Sequence, residues 1–294
     1  MAYKKDSGED SALPGGLYII ATPIGNIEDI TLRALNILKQ VDLIACEDTR
    51  VSGKLTSYYD IEAQKIPYHD HNAEEMRPKL IAQLNEGKRI ALISDAGMPL
   101  ISDPGYKLVA QCAEENIPMT CIPGASASLT ALVLSGLPTD KFMFAGFLPS
   151  KSAARRTALT EVKAVPASLI FYETGPRLAE SLEDMQAVLG DRPAAVAREL
   201  TKKFEEVQRG LFSTLIKHYQ AIEEPRGEIV VIVGAPIEGQ GEQWTDEVLD
   251  ALLLKMIDEE GMSVKDASAF VAAKSGLKKR DVYQRALLLK NNHK

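Results

Sequence analysis

Four loops of the chain hold the residue types that could do chemistry: "TPIGN" (22–26), "SDAGMPLISDPG" (94–105), "IPGASAS" (122–128) and "YETGPR" (172–177). Each follows an apolar run of strand character, and each contains glycine: Gly25, Gly97 and Gly105, Gly124, Gly175. Glycine lets backbone approach a bound molecule closely or adopt positive φ. Open α/β sheets bind ligands outside the carboxyl ends of their strands, so the four loops together outline one cleft. The first loop is neither a G-x-G-x-x-G fingerprint nor a G-x-x-x-x-G-K-[ST] phosphate loop. Asp95 directly follows "IALIS" and stands at a sheet edge, where it accepts from a ribose or amino group, or caps the next turn. "IPGASAS" opens a helix, offering backbone N–H groups and the Ser126 and Ser128 hydroxyls to an accepting ligand or to the helix as an N-cap.

A second set is polar and charged: "CEDTR" (Glu47, Asp48, Arg50), "YHDHN" (His69, His71, Asn72), "YETGPR" (Glu173, Arg177) and "ARELTKK" (Arg198, Glu199, Thr201, Lys202). His69 and His71 are two apart, so on a strand both would face one side. A metal pair lacks further Cys or His nearby, and a histidine that accepts a proton or binds substrate is the better reading. Surface ion pairing is the alternative for the charged groups.

The elements that must position these residues follow a βαβ rhythm. "GLYIIA", "VDLIAC", "RIALISD" and "PMTCI" read as strands, with helical stretches between them that include "DITLRALNILKQ", started by Asp29 or Thr31. The rhythm pauses at "GLPTD" (136–140) and restarts with "KFMFAGF", "SLIFYE", "AAVAREL" and "GEIVVIVG" as strands. A mainly parallel sheet covered on both faces is expected. The division is a disordered lead at 1–15, α/β domains at 16–137 and 138–236, and a helix-turn-helix-like module at 243–294.

The chain is 45% hydrophobic and 26% charged, an ordinary globular composition with no run long enough to span a membrane. Cys46, Cys112 and Cys121 are odd in number and sit in apolar contexts, so buried free thiols in a reducing cytoplasm are expected. The net charge is −7, yet residues 263–294 hold eight lysines and arginines against two aspartates. That asymmetry suggests a polyanionic partner for the tail.

Taken together, "ATPIGNIEDITLRAL", "ACEDTR", "YHDHN", "ISDAGMPLISDPG", "IPGASA", "FYETGPR" and "ARELTK" resemble the tetrapyrrole methylase superfamily, the class III S-adenosylmethionine-dependent methyltransferases. Within it they resemble the branch that acts on RNA of the small ribosomal subunit, in order and spacing from Leu17 to Gly234. The resemblance implies two α/β domains gripping S-adenosylmethionine in the cleft between them, a small C-terminal helical domain, and a homodimer. It implies 2′-O-methylation of a cytidine in 16S rRNA near the decoding centre, with 16S rRNA, in or out of the small subunit, as partner. By position, Ile24, Asp95, Met98, Ser126 and Ala127 match cofactor contacts, with Tyr172 and Ala197 from the second domain. His71, Glu47 and Asp48 are the expected proton acceptors. Asn26, Arg50, Asn72, Arg177, Arg198 and Lys202 are expected to meet the RNA. Porphyrinoid relatives of the superfamily end their first loop in an acidic residue and carry "GDP" at the third strand. Asn26 and "SDAG" stand there instead, which disfavours a tetrapyrrole substrate.

Overall fold

The computed structural model describes residues 13–222, 225, 227–236, 246–275 and 277–292. The chain begins with β1 (Gly16–Ile20), α1 (Leu32–Leu38), β2 (Leu43–Cys46), α2 (Thr49–Tyr58) and β3 (Gln64–Pro67). It continues with α3 (Ala73–Asn85), β4 (Arg89–Ile93), α4 (Tyr106–Glu114) and β5 (Met119–Ile122). The five strands form an all-parallel sheet in the order β3-β2-β4-β1-β5. Burial on both faces explains the unbroken apolar runs. Alternate residues Tyr18, Ile20, Ile44, Ala91 and Ile93 pack beneath α1 and α2, while Leu17, Leu43, Ala45, Ile90 and Leu92 pack beneath α3 and α4. Each leucine or isoleucine among them stabilises the fold by about 1.5–3 kcal/mol relative to exposure. Thr31, not Asp29, starts α1: its Oγ1 accepts from the Ala34 N–H at 3.1 Å. Most of the expected lead lies outside the described residues, but Leu13 packs on the α1 side of the core and the Pro14 carbonyl accepts from the Tyr18 hydroxyl at 2.6 Å.

The helix α5 (Ala127–Ser135) leads into β6 (Phe142–Phe147), α6 (Ser152–Val162), β7 (Ser168–Thr174), α7 (Leu178–Leu189), β8 (Pro193–Arg198), β9 (Glu206–Leu211), α8 (Phe212–Gln220) and β10 (Glu228–Val233). This second sheet runs β6-β7-β10-β8-β9, and here the parallel expectation fails: only β6–β7 is parallel. β8 turns straight back into β9, a strand hidden in the sequence because "EVQRGL" sits at an edge with partly exposed side chains. One face of the sheet is covered by α6, α7 and α8, the other by α5. Ala131 and Leu132 of α5 join Ile24 from the first half and Ile170, Ala197, Leu200, Val230 and Ile232 from the second in one apolar cluster. The two halves therefore share a core along the cleft.

Beyond it, α9 (Asp246–Leu254), a π-turn (Lys255–Glu259), α10 (Val264–Ser275) and α11 (Lys279–Asn292) form a helical module around Leu249, Leu253, Val271, Val282 and Ala286. Arg285 is committed inside it, with Asp246 at 2.5 Å and Asp250 as its partners. Among the described residues no helix is long and apolar enough to cross a membrane.

Candidate functional site

The loops after β1 and β4 are tied to each other before they reach any ligand. Thr22 and Gly97 exchange backbone hydrogen bonds of 2.9 and 3.0 Å, and the Thr22 hydroxyl donates to the Ser94 carbonyl at 3.1 Å. The β1 loop is also fastened to the second half. The Asn26 N–H donates to Thr201 Oγ1 at 2.9 Å, and a Cβ on Gly25 would lie 2.5 Å from Lys202 Cγ and 2.8 Å from the Leu200 carbonyl oxygen. Thr201 and Glu199 both take positive φ, 62° and 52°, a strained backbone held only because this latch is tightly packed. Lys202 Nζ completes it, 2.9 Å from Glu199 and 3.3 Å from Glu228.

Ile24 and Ala96, held by these ties, form part of the wall of two chambers. The first, about 250 Å³, lies between the halves and is mainly apolar, with Met98, Ile101, Ala127, Phe147, Tyr172 and Ile229 on its surface. Ser126 precedes α5 with extended backbone, but its side chain makes no capping bond; its Oγ lies 3.1 Å from Ser128 Oγ. The Tyr172 ring meets Phe144 and Phe147 edge-on at 4.9 and 5.4 Å, and its hydroxyl is hydrogen-bonded to Ser128. Met98 Sδ is 3.7 Å from Cys121 Sγ. Cys121 is exposed on an edge strand, so the expected burial holds only for Cys46 and Cys112.

One carboxyl in this chamber is not among the residues to which the sequence points. Asp103 lines it from the loop between Gly97 and Gly105, where Leu100 and Ser102 also adopt positive φ. Burial, reinforced by the nearby charge of Glu47, pushes its pKa up to about 6, against a hydrogen bond from Ser94 that lowers it. Glu47 is raised as well, by burial first and then by Asp95 and Asp70. Acidic groups thus crowd the rim of the first sheet.

The second chamber, about 440 Å³, is walled by the β1 loop, by Val51, Lys54 and Leu55 of α2, and by Asp95 and Lys202. Asp95 is part of the wall of this chamber, with its charge close to Asp103. It accepts from the Asp48 N–H at 3.1 Å, and burial raises its pKa.

Of the other residues expected at the site, Ile24, Met98, Ser126, Ala127 and Tyr172 line the first chamber. Ala197 does not; it is fully buried on β8. Asp48 caps α2 and holds Arg50, whose guanidinium keeps its pKa at about 2, far below a useful base. Arg50 itself stands at the rim, 89% exposed. His69 and His71 are on a turn after β3, not on a strand, with their rings edge-on at 6.0 Å. Asn72 braces that turn, accepting from the His69 N–H and donating to the Pro67 carbonyl, both at 2.9 Å. Asn26 caps the short turn after it. Arg177 faces inward, donating to the Leu148 carbonyl at 2.8 Å beside the buried Glu173. Arg198 pairs with Glu206 across β8–β9 at 2.7 Å. Long-range pairing of this kind leaves no mark in local sequence.

Comparison with known proteins finds relatives of the sequence and of the fold. A family model described as tetrapyrrole (corrin/porphyrin) methylases matches residues 16–216, and one described as the RsmI C-terminal HTH domain matches residues 242–290. The chain is similar to a ribosomal RNA small subunit methyltransferase I from Mesorhizobium japonicum, 51% identical over 95% of this chain and 94% of that one. It is similar to a protein of the same name from Halalkalibacterium halodurans, 46% identical over 92% and 93%. The crystal structure of uroporphyrin-III-C-methyltransferase from Thermus thermophilus has a TM-score of 0.52 at 20% identity, covering 77% of this chain and 97% of that one, a likeness of fold.

Proposed function

The chain belongs to the tetrapyrrole methylase family, in the branch of ribosomal RNA small subunit methyltransferases I, and from that premise we propose that it methylates a ribose 2′-oxygen in 16S rRNA. The target is a cytidine near the decoding centre, the methyl donor is S-adenosylmethionine, and the enzyme works as a cytoplasmic homodimer. The observation that supports this best is the pair of adjoining chambers, one fit for a donor and one open to an acceptor.

The first chamber fits the donor chemically. Its apolar walls suit an adenine ring and an aliphatic chain, the uncapped Ser126 hydroxyl is available to polar groups, and Asp103 offers a carboxyl to a cation. Ile24, Met98, Ser126, Ala127 and Tyr172 would hold it together with Asp103. Bound there, S-adenosylmethionine supplies an electrophilic methyl carbon on a sulfonium. The protein's own task is then to orient the acceptor oxygen, exclude water and receive a proton. Orientation of that quality is worth about 7–11 kcal/mol in favourable cases.

Arg50, Lys54 and Lys202 are the cations closest to the acceptor side, and Arg suits bidentate contact with phosphate. The helical module adds a basic turn, Lys278, Lys279 and Arg280, at the start of α11, which would position the RNA without reading its sequence. Replacing those three with alanine is expected to weaken binding to small ribosomal subunits and to flatten its dependence on salt, by about 0.7–0.9 in log–log slope for each phosphate no longer neutralised. Donor affinity should stay as it was. The homodimer has support from exposed apolar residues Phe142 and Met143 on the edge strand β6.

The decisive assay supplies methyl-labelled S-adenosylmethionine with small ribosomal subunits, naked 16S rRNA, or a reduced porphyrinoid. Label in alkali-resistant dinucleotides, the mark of a blocked 2′-oxygen, is the expected result. Label on a base or on the porphyrinoid would overturn the reading.

A further inference from the structure

Phe204 leaves 66% of its surface in water, on the turn that joins β8 to β9. A single exposed apolar side chain is ordinary on a protein surface. What sets this one apart is how firmly it is held out. The Glu205 carboxylate accepts from the Thr201 N–H at 2.7 Å, and the Glu205 N–H donates to the Lys202 carbonyl at 3.1 Å. The Lys202 N–H donates to the Glu199 carbonyl at 3.0 Å, and Thr201 is fastened to Asn26 across the cleft. The turn is therefore ordered before any partner arrives, and the phenyl ring has only two torsions left to restrict. Lys202 is part of the cleft wall, and Phe204 follows two residues later, at most about 7 Å of chain away.

Charge around the ring is sorted as well. Glu199 and Glu228 pair with Lys202, Glu206 with Arg198, and Glu205 holds the Thr201 N–H. Lys203 is in no ion pair among the described residues; its Nζ lies over the Phe204 ring, 5.6 Å from the centroid. Lys203 and Glu205, the exposed chain neighbours of Phe204, frame the ring with charge, which suits a nucleotide better than an apolar protein surface. Single-stranded RNA is held in this way, its bases stacked on aromatic rings and its phosphates neutralised by cations.

We propose that Phe204 stacks on an unpaired base of the RNA segment that carries the acceptor ribose, with Lys203 on the phosphate beside it. The proposal rests on the ribose-methylation reading and names a contact that deepens it. A nucleotide drawn into the cleft leaves its neighbours unstacked, and a fixed ring at the cleft edge replaces the lost partner.

The test compares Phe204→Ala, Phe204→Leu, Phe204→Trp and Lys203→Ala with the unaltered protein. Methyl transfer to small ribosomal subunits gives KM and kcat, calorimetry gives donor affinity, and sedimentation gives the oligomeric state. One stacked base corresponds to about a 5- to 150-fold change in affinity. Phe204→Ala should raise KM for subunits by that factor, with donor affinity, melting temperature and oligomeric state unchanged. Phe204→Leu keeps apolar bulk without a flat face and should match alanine, whereas Phe204→Trp should restore KM. Lys203→Ala should lower the salt slope of subunit binding by about 0.7, a slope the Phe204 variants leave alone. A normal KM in Phe204→Ala, or a Phe204→Leu variant equal to the unaltered protein, would overturn stacking. Loss of donor affinity or of self-association in Phe204→Ala would make the ring a donor or subunit contact and overturn it too. Trp244 is the chain's one tryptophan, so Phe204→Trp in a Trp244→Phe background reports from the turn alone. Its emission should be quenched by 16S rRNA whether methyl label goes to a ribose or to a base, which separates failure of the stacking from failure of the ribose reading. Unquenched emission would overturn the stacking by itself.

Discussion

Substituting Gly25→Ala is expected to lower both stability and donor affinity, although alanine adds a single carbon. That carbon would meet Lys202 Cγ at 2.5 Å, Thr201 Oγ1 at 2.7 Å and the Leu200 carbonyl oxygen at 2.8 Å. The lysine stem can swing away; the backbone carbonyl cannot. The loops must separate, and the hydrogen bond from the Asn26 N–H to Thr201 breaks as they do. Overpacking of this sort costs about 1–3 kcal/mol. Function suffers more than the melting temperature suggests, because Ile24, the neighbour of Gly25, lines both chambers. Gly53→Ala is the control. Gly53 lies within α2 with nothing within 4 Å of an added Cβ, so there the substitution should stabilise by about 0.5–1 kcal/mol. Thermal melts and calorimetric titration read both. Equal behaviour of the two variants would show that the latch is not what holds the chambers.

Asp103→Asn should separate stability from binding. The Asp103 carboxyl titrates near 6 in the fold, above its ordinary 3.8. Between about pH 4 and 6 the folded state therefore holds a proton that the unfolded chain has released, and stability falls as pH rises through that window. Below it both states are protonated, and above it the penalty is complete. Asparagine removes the penalty, so the unliganded variant should melt at or above the unaltered protein at pH 7 and lose the slope between 4 and 6. Donor affinity moves the opposite way. A hydrogen bond to a charged group is worth about 1.5–3 kcal/mol, so affinity should fall about 10- to 150-fold. In the unaltered protein it should rise as pH climbs through 6, with proton release on binding. A variant that binds the donor as tightly as before would remove Asp103 from the site.

Much of this architecture can be read from the chain. The apolar runs of β1, β2 and β4 are continuous because both faces are buried, and the glycine-bearing loops after β1, β4 and β5 do converge; "YETGPR" is no loop at its start, since Tyr172, Glu173 and Thr174 are the end of β7 and face the others across the first chamber. What escapes the sequence is long-range. β9 is invisible there because an edge strand exposes part of each side chain. Asp103 gives no local sign of its perturbed acidity, which arises from burial when its loop folds back, reinforced by the charge of Glu47. Asp95 reads as a carboxylate at a sheet edge and is one, but which of two chambers it faces depends on the packing of Ile24 and Ala96. Arg177 and Arg198 have the right charge for phosphate, yet a carbonyl 29 residues away and a carboxylate on the next strand occupy them.

The sulfur pair at the chamber wall has a practical consequence. Of the three thiols, Cys46 and Cys112 are buried, and Cys121 alone faces outward, its sulfur touching Met98. A maleimide dye would therefore attach at one place without prior engineering, beside a side chain that lines the donor chamber. Its emission could follow filling and emptying of that chamber in real time, on the unmutated polypeptide.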